Sequence, residues 1–203
     1  MGELNIFNLD FFKTDFGCTT YVETGTGIGV CLRHMINYDF QQYYSIDLDG
    51  DLIEQAKINF PQDNINFIHD YSTQALEKLV PTLPIDTPVL FFLDAHFPGA
   101  DFGKMSYTES ITEFKQTAFP LIQEINIIQK HRDISKDCFI IDDWKLYDST
   151  LNYEMPGWEY EQLQKQLNIV TDGNQIINLF KDTHDHEVKL RHQGFLFLTP
   201  KFI

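Results

Sequence analysis

The sequence predicts an α/β fold: a Rossmann-like, doubly wound, seven-stranded and mostly parallel sheet, helices on both faces, closed by a C-terminal antiparallel hairpin. Three observations predict it. Short apolar, β-prone runs alternate with amphipathic segments of helical spacing, the pattern of βαβ units and therefore of parallel strands. The first run, Thr19 to Val22, breaks into Glu23-Thr24-Gly25-Thr26-Gly27-Ile28-Gly29 and resumes as Val30, Leu32, Met35 and Ile36. Strand, Gly-rich turn and helix in that order open nucleotide-binding α/β domains. The third observation is that successive strands run into acidic residues.

In order along the chain, residues 1–17 read as a capping segment anchored by Phe7, Phe11, Phe12 and Phe16. After the first strand, turn and helix, Gln42 to Asp47 reads as a second strand ending on an acid. Residues 51–59 then have helical spacing at Leu52, Ile53, Ala56 and Ile58. Ile65 to His69 alternates with period two, a third strand, and Ala75, Leu76 and Leu79 return to helical spacing. Pro88 to Leu93 is a continuous apolar run of the type buried on both faces. A loop rich in Gly, Pro and aromatic residues follows at 97–106, then a long helical pattern over 107–130, broken near Pro120. Cys138 to Ile141 is a fifth strand ending on Asp142-Asp143. Residues 152–157 read as a loop, Tyr160, Leu163 and Leu167 as a helix, and 175–181 and 194–199 as the two strands of the hairpin.

At 203 residues the chain is expected to form one domain, 1–203, with 97–131 as the acceptor loop and helix. Thirty acidic against fifteen basic residues give a formal charge of −15, which excludes the basic footprint of a nucleic-acid surface and suits a neutral or cationic partner. No apolar run is long enough to span a membrane, and the start lacks the basic and apolar regions of a signal peptide, so the expected setting is cytoplasmic. Cys18, Cys31 and Cys138 lack ligand spacing and read as buried thiols.

In doubly wound sheets, ligands bind beyond the carboxyl ends of the strands. Those ends carry Glu23, Asp47, Asp70, Asp94 and the pair Asp142/Asp143. The turn spacing is Gly-x-Gly-x-Gly, not the Gly-x-Gly-x-x-Gly of pyrophosphate binders. A carboxylate at Glu23 would repel a pyrophosphate but hold an ammonium group. Asp47 stands where dinucleotide folds place an acid on ribose hydroxyls. Asp49 and Asp63 read as helix N-caps. His96, two residues after Asp94 and facing Asp142 and Asp143 across the strand ends, is the one histidine in a catalytic setting. Asp94, Asp142 and Asp143 would suit a hard cation, and Asp142 and Asp143 equally suit capping of the next segment.

These segments resemble the class I S-adenosylmethionine-dependent methyltransferases over nearly the whole length. Within them the chain looks most like small, metal-dependent sugar and glycan O-methyltransferases of bacteria and large viruses. The resemblance lies in Val22 to Gly27, Tyr44 to Asp47, Phe67 to Ser72, Phe92 to Phe97 and Ile140 to Trp144. It implies that Glu23, Thr24 and the Gly25, Thr26, Gly27 and Gly29 backbone hold the amino-acid end of S-adenosylmethionine. It places Asp47 on the ribose, and Asp70, Tyr71 and Ser72 around the adenine. It further implies Mg²⁺ or Mn²⁺ on Asp94, Asp142 and Asp143, with His96 as the base. The expected reaction is methyl transfer to a sugar hydroxyl, of a deoxysugar such as rhamnose, in a pocket formed by Phe97, Phe102, Lys104, Trp144 and Tyr147. A homodimer is one possible assembly. The alternatives are a phenolic or other small-metabolite O-methyltransferase, and a non-catalytic nucleotide-binding module.

Overall fold

The structure, a computed structural model, describes residues 3–151 and 172–201. The strands are β1 (Thr20–Thr24), β2 (Gln42–Asp47), β3 (Ile65–His69), β4 (Val89–Leu93), β5 (Cys138–Ile141), β6 (His184–Lys189) and β7 (Phe195–Pro200). The helices are α1 (Phe11–Thr14), α2 (Val30–Met35), α3 (Gly50–Asn59), α4 (Ser72–Leu79), α5 (Tyr107–Phe114), α6 (Leu121–His131), α7 (Trp144–Tyr147) and α8 (Gly173–Asn178). They build one seven-stranded sheet in the order β3-β2-β1-β4-β5-β7-β6. The first five strands run parallel; β7 pairs antiparallel with both β5 and β6. The strand order reverses between β1 and β4, which opens a crevice at their carboxyl ends.

Successive side chains of a strand face opposite sides of the sheet, and here both sides are covered. Val22, Phe91, Phe139 and Leu196 face α4, α6 and the 97–119 region, in a core with Leu76, Ile111, Ile125 and Ile128. Tyr21, Phe92, Ile140 and Phe195 face the other way, onto α2, α3 and the N-terminal segment, with Leu32, Met35 and Ala56. Phe12 is buried, and Phe7 meets Phe195 and Phe197 edge-on at 5.2 Å. Among the described residues no helix is long and apolar enough to cross a membrane.

One expected element is corrected. Residues 175–178 of the presumed strand 175–181 lie in helix α8 (Gly173–Asn178), capped by Asp172, whose side chain accepts from the Asn174 N–H. Ile176 and Phe180, four apart, then bury together on one helical face. The strand that pairs with β7 is His184–Lys189, whose middle is exposed and charged, so it lacks the hydrophobic signal of a strand. It is an edge strand, and charge on an edge discourages pairing with other chains. The break near Pro120 is real: α5 ends at Phe114 and α6 begins at Leu121. The loop expected at 152–157 and the helix through Tyr160, Leu163 and Leu167 lie outside the described residues.

Candidate functional site

The turn after β1 lies against the start of the 94–98 segment. Gly25 has φ +86°, and a Cβ there would sit 2.5 Å from the Asp94 carbonyl oxygen, so only glycine fits. Gly27 and Asp47 are tied together: the Gly27 N–H donates to Asp47 Oδ2 at 2.8 Å, and the Asp49 N–H to Oδ1 at 2.8 Å. Burial raises the Asp47 pKa above its usual range, against the hydrogen bonds it accepts. Gly29 packs on Phe60 at the start of α2.

Glu23 lies beneath the turn, almost fully buried. It accepts from the Tyr21 hydroxyl at 2.7 Å and the Ser45 hydroxyl at 2.5 Å. Thr26 Oγ1, 2.6 Å from Ser45, extends this chain to the turn itself. Burial lifts the Glu23 pKa to about 7, partly opposed by the two hydroxyls. Thr24, fully buried, accepts the Asp94 N–H through its side chain at 3.2 Å.

A cavity of about 350 Å³ opens at these strand ends. Gly25, Thr26, Gly27, Asp47, Tyr71, Ser72, Asp94 and His96 line it. The 97–106 loop closes its far side with Phe97, Phe102, Lys104 and Met105. Asp70 turns away: its carboxylate pairs with Lys78 at 2.7 Å, which lowers its pKa. Asp49 caps α3, as expected, and is also held by Lys104, which reaches Asp51 as well at 3.4 Å. Trp144 and Tyr147, expected as walls of the pocket, are instead buried in the core. Their positions follow from α7, which packs on β7 and turns both rings inward.

The expected acid–histidine cluster does assemble. Asp143 stands at the start of α7 with φ 49°, a left-handed conformation unusual outside glycine. Its carboxylate makes no cap bond; Oδ2 lies 2.7 Å from His96 Nε2. His96 Nδ1 is 3.5 Å from Asp94 Oδ1. Burial alone would lower the His96 pKa, but the charges of Asp143, Asp142 and Asp101 outweigh it and the net shift is upward. Asp94 is pushed far above the carboxylate range by burial and by Asp142 and Asp143, so it keeps its proton and donates it to Asp142. Asp142, pushed up to about 6 by burial and Asp143, has its Oδ2 buried without a partner.

This arrangement does not fit a bound Mg²⁺ or Mn²⁺. Asp94 and Asp142 spend their facing oxygens on one shared proton, and Asp143 is committed to His96. Among the described residues no group of three or more Asp, Glu, His or Cys side chains is disposed to hold a metal ion.

Glu124, on the buried face of α6 between Leu121 and Ile125, is a residue that sequence reasoning missed. It is 1% exposed, its Oε1 has no partner, and burial raises its pKa to about 7. A carboxylate inside an apolar helical stripe was the available signal.

No protein-family model matches the sequence. Comparison with curated proteins finds no significant match either. Solved structures do match. A candidate caffeoyl-CoA O-methyltransferase from Staphylococcus aureus superposes with a TM-score of 0.63 at 12% identity, over 99% of this chain and 85% of that one. The O-methyltransferase of Bacillus cereus, in complex with S-adenosylhomocysteine, gives 0.59 at 12% identity, over 95% and 79%. The tomaymycin-synthesis O-methyltransferase TomG of Streptomyces achromogenes, in complex with S-adenosylmethionine, gives 0.59 at 11% identity, over 96% and 78%. At such identities the likeness is one of fold. The fold is that of the class I S-adenosylmethionine-dependent methyltransferases.

Proposed function

We propose that the protein is an S-adenosylmethionine-dependent O-methyltransferase acting on a sugar hydroxyl. The observation that carries the reading is the Asp143–His96 pair at one wall of a cavity whose other wall is the glycine turn and Asp47. The residues present fit the cofactor. The cavity is acid-lined, which suits a sulfonium and an ammonium, and Lys104, the one Lys or Arg among the described lining residues, is already engaged by Asp49 and Asp51. When bound, the cofactor supplies an already activated methyl group. Asp47 would accept from ribose hydroxyls, Tyr71 and Ser72 would flank the adenine, and buried Glu23 would place negative charge beneath the amino-acid end.

The chain's remaining task is to align the acceptor and take its proton. Asp143 fixes the His96 ring through Nε2 and stabilises the imidazolium that forms. Nδ1, the other ring nitrogen, takes the proton, as in hydrolase triads where a carboxylate orients the base. General-base help of this kind is worth about 10²–10⁴-fold. No step needs a metal ion. The walls Phe97, Phe102, Met105 and Phe114 offer apolar faces on which a sugar ring can rest.

The same aromatic walls favour a second reading, a small phenolic acceptor. The test is turnover of labelled S-adenosylmethionine against panels of deoxysugar glycosides and of catechols. Methylation of the glycosides supports the first reading and exclusive methylation of catechols the second. Stabilisation by NAD or ATP but not by S-adenosylhomocysteine would overturn both.

A further inference from the structure

The residue that follows His96 stands in a costly conformation. Phe97 has φ 46°, in the left-handed region that a bulky side chain rarely adopts. Among the described residues five besides glycine have positive φ, and two of them are Phe97, next to His96, and Asp143, bonded to it. Phe97 lines the cavity yet is only 2% exposed, because its ring is spent on three others. The rings of His96, Tyr107 and Phe119 each stand 5.2 Å from it, at 86°, 90° and 81°. These are edge-to-face contacts, a favoured geometry of aromatic pairs. Backbone bonds hold the same stretch. The Phe97 N–H donates to the Ala118 carbonyl at 3.2 Å, and the His96 N–H to the Asp94 carbonyl at 3.1 Å. Tyr107 is held in turn, its hydroxyl donating to Asp101 at 2.6 Å.

Resting on the reading of His96 as the base, we infer that Phe97 is a positioning residue: its ring, braced by Tyr107 and Phe119, sets the orientation of the His96 imidazole on Asp143. One hydrogen bond to Asp143 fixes a ring nitrogen but leaves the imidazole able to swing about that bond. An aromatic ring packed against it removes that freedom. The left-handed backbone at Phe97 persists because the packing around it over-determines it, and strain of this kind gathers at functional sites. Misplacing a reacting group by about an ångström is enough to cost about 10²-fold in rate.

The test uses the full chain carrying Phe97→Leu, Tyr107→Leu, Tyr107→Phe or Phe180→Leu. Three quantities are read: the melting temperature, the ¹⁵N-correlated signals of the His96 ring in the apoprotein, and kcat and KM with the best acceptor. Phe97→Leu stays apolar but removes the ring, so the His96 signals should shift or broaden and kcat fall by about tenfold to 10²-fold. Tyr107→Leu, which removes a brace of Phe97, should move the signals in the same way to a smaller extent. Tyr107→Phe keeps that ring and should restore them. Phe180 is the control: it is as buried as Phe97 but meets Phe139 and His184, at 4.9 and 5.3 Å. Phe180→Leu should lower the melting temperature and leave the His96 signals in place. Signals unmoved in Phe97→Leu, with any loss confined to KM, would make Phe97 a wall of the pocket only and overturn the inference. Signals moved equally by Phe180→Leu would overturn it too, as a general loosening. If Phe97→Leu does not fold, the Tyr107 variants decide, and unmoved signals in Tyr107→Leu overturn it. The ring signals need no acceptor. A wild type without methyl transfer would therefore overturn the proposed function while the role of Phe97 is still decided.

Discussion

At the residue scale, the site depends on where a few protons reside. Asp94 holds one, Asp142 accepts it, and His96 lies between Asp143 and Asp94. His96→Ala should lower kcat by about two to four orders of magnitude with cofactor affinity nearly unchanged. The His96 pKa is raised, and a base must be neutral to accept, so the wild-type rate should rise with pH through a midpoint above the ordinary histidine value. That dependence should disappear in the alanine variant; a retained profile would make the residue structural. Asp47→Ala should weaken S-adenosylhomocysteine binding by about tenfold to a hundredfold, the range for losing a charged hydrogen-bond acceptor. Calorimetric titration measures it. Because the three carboxylates share a proton and a histidine, turnover should persist after exhaustive EDTA treatment. Loss of activity restored by Mg²⁺ would contradict that account.

At the scale of elements, the 97–106 loop forms the far wall of the cavity and is fastened at several points. Phe102 lies against Gly27, where a Cβ would come within 2.8 Å of its ring. Lys104 is bound to the cap of α3, and Tyr107 donates to Asp101 at 2.6 Å. Ser106 and Glu109 then start α5 with a reciprocal capping box. Ser106→Ala should cost about 1 kcal/mol of stability, seen as a lowered melting temperature. Lys104→Met breaks the attachment to α3 and should speed S-adenosylhomocysteine release in stopped-flow experiments. Added salt should do the same to the wild type, since the pair is exposed enough to be screened. An off-rate indifferent to both changes would show that the loop is held by Phe102 alone.

At the scale of the whole molecule, buried acids set the pH dependence of stability. Glu23 and Glu124 have folded-state pKa values of about 7 against an ordinary 4.5. The folded state therefore binds more protons than the unfolded one, and stability falls as pH rises from about 4.5 through 7. Each tenfold in proton affinity is roughly 1.4 kcal/mol, so the two together account for a cost on the order of several kcal/mol at alkaline pH. His184 acts on the acid side. Its pKa is lowered by burial, so its contribution is lost as pH falls below the ordinary histidine value. The apoprotein should melt highest in mildly acidic buffer, and Glu23→Gln with Glu124→Gln should flatten the alkaline limb. A melting temperature that rises steadily from pH 5 to pH 8 would count against raised values at these sites.

The sequence by itself determined the five parallel strands with helices between them and the set of acids at their carboxyl ends. These follow from local periodicity, from glycines at positions of positive φ, and from apolar strands ending in charge. Gly25, Asp47, His96 and Asp143 were legible because their neighbours in sequence carry the signal. It failed where the signal is not local. The edge strand His184–Lys189 is polar because one flank is solvent, and Ile176 with Phe180 forms a helix face only because a core receives it. Only the tertiary structure decided that Asp70 faces Lys78, that Trp144 and Tyr147 are core, and that Asp94 and Asp142 meet in one buried cluster. The same holds for Glu124, which the packing of α6 buries beside Leu121 and Ile125. The physical reason is common to all four: the burial and partners of a side chain are set by what packs around it, and that neighbourhood exists only once the chain has folded.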